Sequence, residues 1–338
     1  MKNKILIAGI AGASLGTEIA KSLVLAKNYE IYGCDISAFA YGHYSNYFQK
    51  TFVINITKYI ESVLNICLEE DIRYIIPGGE SPNILLSQAK SIFENHHIKI
   101  VSNNQNVVAL CSSKKNSFDF LNKHSVETPK IFNFLNKDKE IEFPCIVKPS
   151  EGTGGSSFVC VVKNEAELKN HVEFLENNNL IPVIQEYISH AEGEFTVGVL
   201  SSIQGTIIGS IALKRSFESK LSVSLRTHDY LISSGYTQGL IDDFPEIIET
   251  CKNIAMKVQS TGPLNIQGRL KNNQFIPFEI NPRFSASTYL RALAGFNEVD
   301  FYLRNIINGE TNFPHQLKYG YYMRNFEETF IPKDKVLL

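Results

Sequence analysis

Short apolar runs closed by glycine, proline or asparagine alternate with stretches of helical periodicity over the first hundred residues. "KILIAGI" predicts a buried strand, "GASLGTEIAKSLVLAK" a turn opening a helix, and "YEIYGCDIS" a second strand ending at Asp35, together a βαβ start. The strand "TFVIN", the helix "ITKYIESVLNICLEED", the strand "IRYIIPGGE", the helix "SPNILLSQAKSIFENH" and the strand "IKIVS" continue the alternation. A parallel sheet in an α/β lobe is implied. The pattern breaks around residues 103–113. After it come a helix near 113–124, the strand "FPCIVKPS", a Gly/Ser loop, the strand "SFVCVVK", the helix "NEAELKNHVEFLENN" and the strand "VIQEYI", which read as a small α+β lobe.

From residue 191 the strands lengthen and turn antiparallel in style. "EFTVGVLSSIQGTIIGSIALKR" predicts a hairpin with its turn at "IQGT", followed by a helix near 244–259. "GPLNIQGRLKNN" and "QFIPFEINP" predict a second hairpin around Asn272 and Asn273, and a last helix runs from about Ser287 to Asn308. Residues 311–338 carry no pattern that places them.

Composition narrows the classes. The 338 residues are 43% apolar and 20% charged, which excludes disordered and fibrous chains and allows two or three lobes with sizeable cores. Thirty-three basic against thirty-five acidic residues leave a formal charge of −2, and no basic block tracks a nucleic-acid backbone. Six cysteines at irregular spacings, mostly inside apolar runs, imply free thiols in a reducing, cytoplasmic setting. The start, "MKNKILIAGIAGASLG", has the composition of a signal peptide, but Gly9 and Gly12 break its apolar run and Ile19, Leu23 and Ala26 continue it as one helix face. It is expected to be folded in. No apolar run reaches the eighteen or so residues a membrane span needs.

Chemistry concentrates in a few places. In "FIPFEINPR" strand alternation puts Glu279, Asn281 and Arg283 on one face, with Phe278 and Ile280 in the other layer. That is a cluster of oxygen ligands beside a cation, or a strand end with solvated polar residues. In "PCIVKPSEGTGGSSFVCVV", Lys148 ends a strand before a flexible loop carrying Gly154, Gly155 and Ser156. Such a loop folds its amides over phosphates, or serves only as a long turn. Gly9, Gly12 and Gly16, with Asp35 beyond, suggest a dinucleotide, yet their spacing is not the strict G-x-G-x-x-G and the signal is weak.

Lys114 in "SSKKNSFDFL", Lys148 with its loop, "QEYI", Glu194, "NIQ" and "FEINPR" occur in the order and rough spacing of the ATP-grasp superfamily. Over about residues 1–308 the chain resembles one synthetase unit of the carbamoyl-phosphate synthase large subunit. The resemblance implies α/β and α+β architecture: a Rossmann-like pre-ATP-grasp domain over 1–110, an ATP-grasp small lobe with the glycine-rich phosphate loop over 111–190, a large lobe with the metal site over 191–310, and an unplaced tail over 311–338. It implies phosphate contacts from Lys114 and Lys148 but not Lys115, adenine recognition by Glu186, Tyr187 and Ile188, and ribose contacts from Glu194. Gln267, Glu279 and Asn281 match ligands for one or two Mg²⁺ ions, with Mn²⁺ as an alternative, and Arg283 and Lys148 match catalytic cations.

The implied activity joins a small-molecule carboxylate to an amine or ammonia through an acyl phosphate, with ADP released and a homodimer as one assembly. Nucleic acid and membrane are not expected partners. Glu80, Arg215 and Arg226 are the substrate candidates, with Lys214, His228 and Ser14 near the same loops, and the stretch 213–230 is expected to lie over the cleft. Two departures stand out: Gly198 where many relatives are acidic, and Gln267 where many have a carboxylate. Two rival readings are a nucleotide-binding sensor without catalysis and an NAD-dependent oxidoreductase built on the first lobe.

Overall fold

The structure is a computed structural model that describes residues 2–11, 15–132, 141–150 and 157–337. Its first lobe holds five parallel strands, β1 (Asn3–Ala8), β2 (Tyr29–Asp35), β3 (Lys50–Val53), β4 (Tyr74–Pro77) and β5 (Lys99–Ile100), in the order β3-β2-β1-β4-β5. Ile5, Leu6 and Ile7 of central β1 are fully buried, because helices cover both faces of a parallel sheet. Those helices are α1 (Leu15–Ala26), α2 (Tyr59–Glu69), α3 (Glu80–Gln88) and α4 (Lys90–Glu94). The single helix expected over 81–96 is thus two, broken where Ala89 leaves helical geometry at ψ 11°, and the second buries Phe93 completely.

The glycine turn after β1 is a packing device. A Cβ on Gly16 would lie 1.8 Å from the Gly9 carbonyl oxygen, so only glycine lets α1 approach the strand that closely. Asp35 accepts from the Ile10 and Ser37 amides at 2.8 and 2.9 Å. Its carboxylate is spent on holding the turn. Gly12 and Ser14 lie outside the described residues.

Two further helices, α5 (Gln105–Ser112) and α6 (Lys114–Lys123), occupy the stretch where the pattern broke. The sequence suggested that the helix near 113–124 opens the small lobe. Instead its Phe118 and Leu121, three residues apart and both buried, join Val107 and Cys111 in the core behind the large sheet. The small lobe proper is an antiparallel sheet of β6 (Ile131–Phe132), β7 (Cys145–Pro149), β8 (Cys160–Val162) and β9 (Pro182–Glu186), ordered β6-β9-β7-β8 and covered by α7 (Glu165–Asn177). It has a separate core of Cys145, Val147, Val162, Leu168, Val172, Leu175 and Ile184.

The large lobe follows with β10 (Glu194–Ser201), β11 (Ile207–Arg215), the ribbon β12 (Val223–Arg226) and β13 (Leu231–Ser233), β14 (Gly239–Ile241), α8 (Pro245–Lys257), β15 (Pro263–Lys271) and β16 (Gln274–Asn281). Asn272 and Asn273 turn the last hairpin at φ 53° and 62°, the left-handed pair that a two-residue connection requires. The helix expected over 287–308 divides at Gly295 (φ 102°) into α9 (Thr288–Leu293) and α10 (Glu298–Asn308). The tail is not an appendage: β17 (Gly320–Tyr322) pairs with β14, completing a six-stranded sheet ordered β16-β15-β10-β11-β14-β17. One continuous core runs from Ile5, Leu15 and Ile19 of the first lobe to Leu213, Phe284, Phe296 and Val299 of the large one. First and large lobes are therefore packed as a unit, with the separately cored small lobe across a cleft.

Candidate functional site

A cleft of about 520 Å³ opens between the three lobes, within the range of nucleotide-sized ligand pockets. Lys114, Lys148, Arg215, Arg269 and Arg283 line it against Glu80, Glu186 and Glu279, so its lining favours a polyanion.

Lys148 sits at the end of β7, 7% exposed, with its ammonium 5.7 Å from the centre of the Phe118 ring. Among the described residues it has no ion-pair partner. Burial, followed by the Lys114 cation, pushes its pKa down to about 7, with Glu279 acting in the opposite direction. Lys114 is the first residue of α6 and half-buried on the cleft, while Lys115 points out to solvent. Gly154, Gly155 and Ser156 of the glycine loop lie outside the described residues.

Glu186, Tyr187 and Ile188 line the cleft where β9 ends, one residue after the last strand position for Tyr187. Glu186 is tied outward, to Lys271 at 2.7 Å and to the Lys130 amide at 3.1 Å. The Tyr187 hydroxyl accepts from the Leu231 amide at 3.0 Å and so fastens the β12–β13 ribbon to this hinge. Ile188 gives its carbonyl to Arg269 at 2.6 Å. Glu194 departs from its expected place. It does not line the cleft; its carboxylate is fully buried between Arg269 (2.8 Å) and Arg215 (3.3 Å), both of which line the cleft. Burial alone would raise its pKa, but Arg269, Arg215 and a Ser233 hydrogen bond together hold it below the ordinary glutamate value.

The β15–β16 hairpin builds the floor. Gln267 and Glu279 are direct cross-strand partners, and the Gln267 amide donates to Glu279 at 2.7 Å. Expected alternation fails once: the register passes from Gln267–Glu279 to Gly268–Pro277, leaving Phe278 as a bulged extra residue. Phe278 therefore lines the cleft rather than the opposite layer, 5.9 Å from the Arg269 guanidinium, whereas Ile280 is buried as expected. Arg283 lines the cleft. Asn281 is 7% exposed and does not; its side-chain oxygen accepts from Arg283 at 3.2 Å. Glu279 with amide oxygens nearby is a hard-oxygen donor set of the kind Mg²⁺ takes when phosphate oxygens complete its shell. The buried Lys148, without an ion-pair partner among the described residues, fits the phosphates.

Of the substrate candidates, Glu80 and Arg215 line the cleft. Arg215 is anchored by Glu194 and donates to the Ser234 and Tyr236 carbonyls at 2.8 and 3.2 Å. Arg226, His228 and Lys214 do not belong to it: Lys214 is exposed on β11, and Arg226 and His228 are exposed on the ribbon, whose base at Leu231–Ser233 faces the cleft while its tip points to water. Sequence reasoning passed over Asn265, Arg269 and Thr196, which also line it. The signal was available for two of them, since Asn265 and Arg269 flank Gln267 at the two-residue period of one strand face. Gly198 has a structural cause. A Cβ there would meet Arg291 at 2.5 Å and Glu298 at 2.7 Å, so a carboxylate from α10 fills the space a longer residue 198 would need.

A Rossmann-like lobe fused to a large antiparallel sheet, with a small lobe closing over a basic cleft, defines the ATP-grasp class of nucleotide-binding folds. The chain carries ATP-grasp domains: residues 111–238 match the RimK-like ATP-grasp domain, and residues 176–329 the family described as ATP-grasp in the biosynthetic pathway with Ter operon. It is 26% identical over 264 residues to the carbamoyl phosphate synthase large chain of Saccharolobus solfataricus, covering 74% of this chain and 24% of that protein. The chain thus spans about a quarter of that relative's length. Among solved structures, the L-amino acid ligase from Bacillus licheniformis shares the fold with a TM-score of 0.68 at 13% identity, over 91% of this chain and 74% of that one. So does the biotin carboxylase domain of the Hydrogenobacter thermophilus 2-oxoglutarate carboxylase, in complex with MgADP, ADP and bicarbonate (TM-score 0.66, 16% identity, 90% and 69% covered). Among the described residues no helix is long and apolar enough to cross a membrane.

Proposed function

We propose that this chain is an ADP-forming ligase that activates a small-molecule carboxylate as an acyl phosphate and joins it to an amine or ammonia. The observation that carries the reading is the convergence of Lys114, Lys148, Gln267, Glu279 and Arg283, from two helix- or strand-ends and one hairpin, on a single cleft. On this reading the hinge at Glu186–Ile188 meets the adenine, and Lys114 and Lys148 hold the phosphates. Mg²⁺, or Mn²⁺ in its place, would be held by Glu279 with Gln267 and would neutralise phosphate charge. Asn281 acts through Arg283, which its side chain orients beside the transferred phosphoryl group. Arg215 and Arg269, fixed by Glu194, supply further positive charge that costs no reorganisation when anionic oxygens develop. Closure of the small lobe excludes water from the activated acid. Glu80 and Arg215 contact the acid or the amine. A cytoplasmic setting and a homodimer are part of the same proposal.

The test is ADP release from purified protein with MgATP, across a panel of carboxylates with and without amines. Release that requires both an acid and an amine, and is lost in Glu279→Ala, supports the ligase. Tight MgATP binding without turnover on any acid, unaffected by that substitution, moves the assignment to a nucleotide sensor.

A further inference from the structure

Beneath the cleft floor lies a charged network that the proposed reaction leaves unused. Arg291 of α9 is 0% exposed and pairs with Glu298 of α10, 1% exposed, at 3.1 Å. Thr288 donates to the same carboxylate at 2.6 Å. The other end of the Arg291 guanidinium donates to Asn265 Oδ1 at 2.6 Å and to Thr196 Oγ1 at 3.1 Å, and Thr196 Oγ1 donates to Asn265 Oδ1 at 2.8 Å. Gly198 stands directly across from Asn265 in the sheet, and the space above its missing side chain is where Arg291 and Glu298 enter.

Guanidinium is a donor only, so it dictates which way the Asn265 carboxamide faces. With Oδ1 turned to Arg291 and Thr196, the two N–H donors of Nδ2 are left without a protein partner among the described residues. Asn265 lines the cleft, so those donors are offered to whatever fills it. Their place along β15 indicates what that is. Arg269 holds the hinge carbonyl of Ile188, Gln267 stands beside Glu279, and Asn265 comes next on the same face. At roughly 3.3 Å per residue, Asn265 is about 13 Å from the hinge end of this row, the reach from a nucleotide's base to its outermost phosphate.

We infer that Asn265 binds an oxygen of the terminal phosphoryl group, and that Arg291, held by Glu298 in the gap left by Gly198, is the positioning residue that aims it. The inference rests on the ligase reading, because it needs a nucleotide in the cleft. A hydrogen bond from a fixed, buried amide to an anionic oxygen contributes enough that its loss weakens binding by about ten- to a hundredfold.

The experiment compares MgADP with the magnesium complex of the non-hydrolysable imido analogue of ATP, by calorimetry, on wild type and on Asn265→Ala, Asn265→Asp, Arg291→Met and the Asn265→Ala/Arg291→Met double variant. The imido analogue is expected to weaken by about tenfold or more in each single variant, most in Asn265→Asp, while MgADP changes by less than about twofold. The double variant should be no weaker than Asn265→Ala, an outcome that a merely structural role for Arg291 would not produce. Where Arg291→Met does not fold, Asn265→Asp, nearly isosteric, decides alone. Wild type that binds both nucleotides and Asn265 variants that bind the imido analogue equally well overturn this inference and leave the ligase reading standing. Wild type that binds neither nucleotide overturns both.

Discussion

Lys148 allows a quantitative test of how the cleft receives phosphate. Its ammonium is buried beside the Lys114 cation, and these two influences bring its pKa to about 7. In the empty protein about nine tenths of Lys148 is therefore neutral at pH 8, and about one tenth at pH 6. Phosphate oxygens beside the nitrogen favour the charged form, so binding at pH 8 draws in about 0.9 proton, whereas binding at pH 6 draws in about 0.1. The sign follows for affinity: it falls as pH rises above 7, by up to about tenfold per pH unit, because the proton must be taken from an increasingly dilute supply. Calorimetry with MgADP in buffers of different ionisation enthalpy reads the uptake, and Lys148→Met subtracts the titration of ADP and of other groups. The difference between wild type and Lys148→Met should grow from about 0.1 to about 0.9 proton between pH 6 and 8. A difference that stays near zero across that range would refute the assignment of Lys148 as the buried phosphate-binding cation.

Three more outcomes follow from the same geometry. Glu194→Gln removes the anion between two buried arginines and should destabilise the protein by about 3–5 kcal/mol in urea unfolding; because the folded pKa of Glu194 is depressed, the stability it contributes is present above its unfolded pKa and lost as pH falls below it. Gly198→Ala forces a methyl to within 2.5 Å of Arg291 and should cost about 1–3 kcal/mol, seen as a lowered midpoint in the same assay. Tyr187→Phe deletes the hydroxyl that accepts from Leu231 and should speed hydrogen exchange at the Leu231 amide while leaving exchange in β1 unchanged.

The chain's periodicities carried most of the architecture. Strong local signals did so: the continuous apolar run of β1, the Asn272–Asn273 turn, and the alternation of β15. What the sequence concealed was tertiary. Whether Phe118 and Leu121 face the small or the large lobe depends on which sheet offers a matching core, and the apolar stripe of α6 does not say. A bulge at Phe278 is invisible in an alternating run because it is defined by the partner strand's register. Glu194 reads as a cleft carboxylate until Arg215 and Arg269, twenty-one and seventy-five positions on, are seen to close over it. The tail was unreadable for a similar reason, since a three-residue edge strand gains its identity only by pairing with β14. The cleft residues that were legible include Lys114, Lys148, Glu279 and Arg283, whose chemistry sits at or near the ends of strongly patterned elements, and Gln267, which faces Glu279 from the middle of β15.

The account stands on transfer of a phosphoryl group from ATP to a carboxylate held in this cleft. Oxygen-18 placed in the carboxylate of an acid that supports ADP release follows that transfer atom by atom: attack on the terminal phosphate carries one labelled oxygen into the inorganic phosphate once the amine has displaced it. Mass spectrometry of the phosphate should find one labelled oxygen per product formed. Phosphate free of label, with ADP still released in step with amide formation, would contradict the acyl-phosphate route and with it the function assigned to Lys148, Glu279 and Arg283.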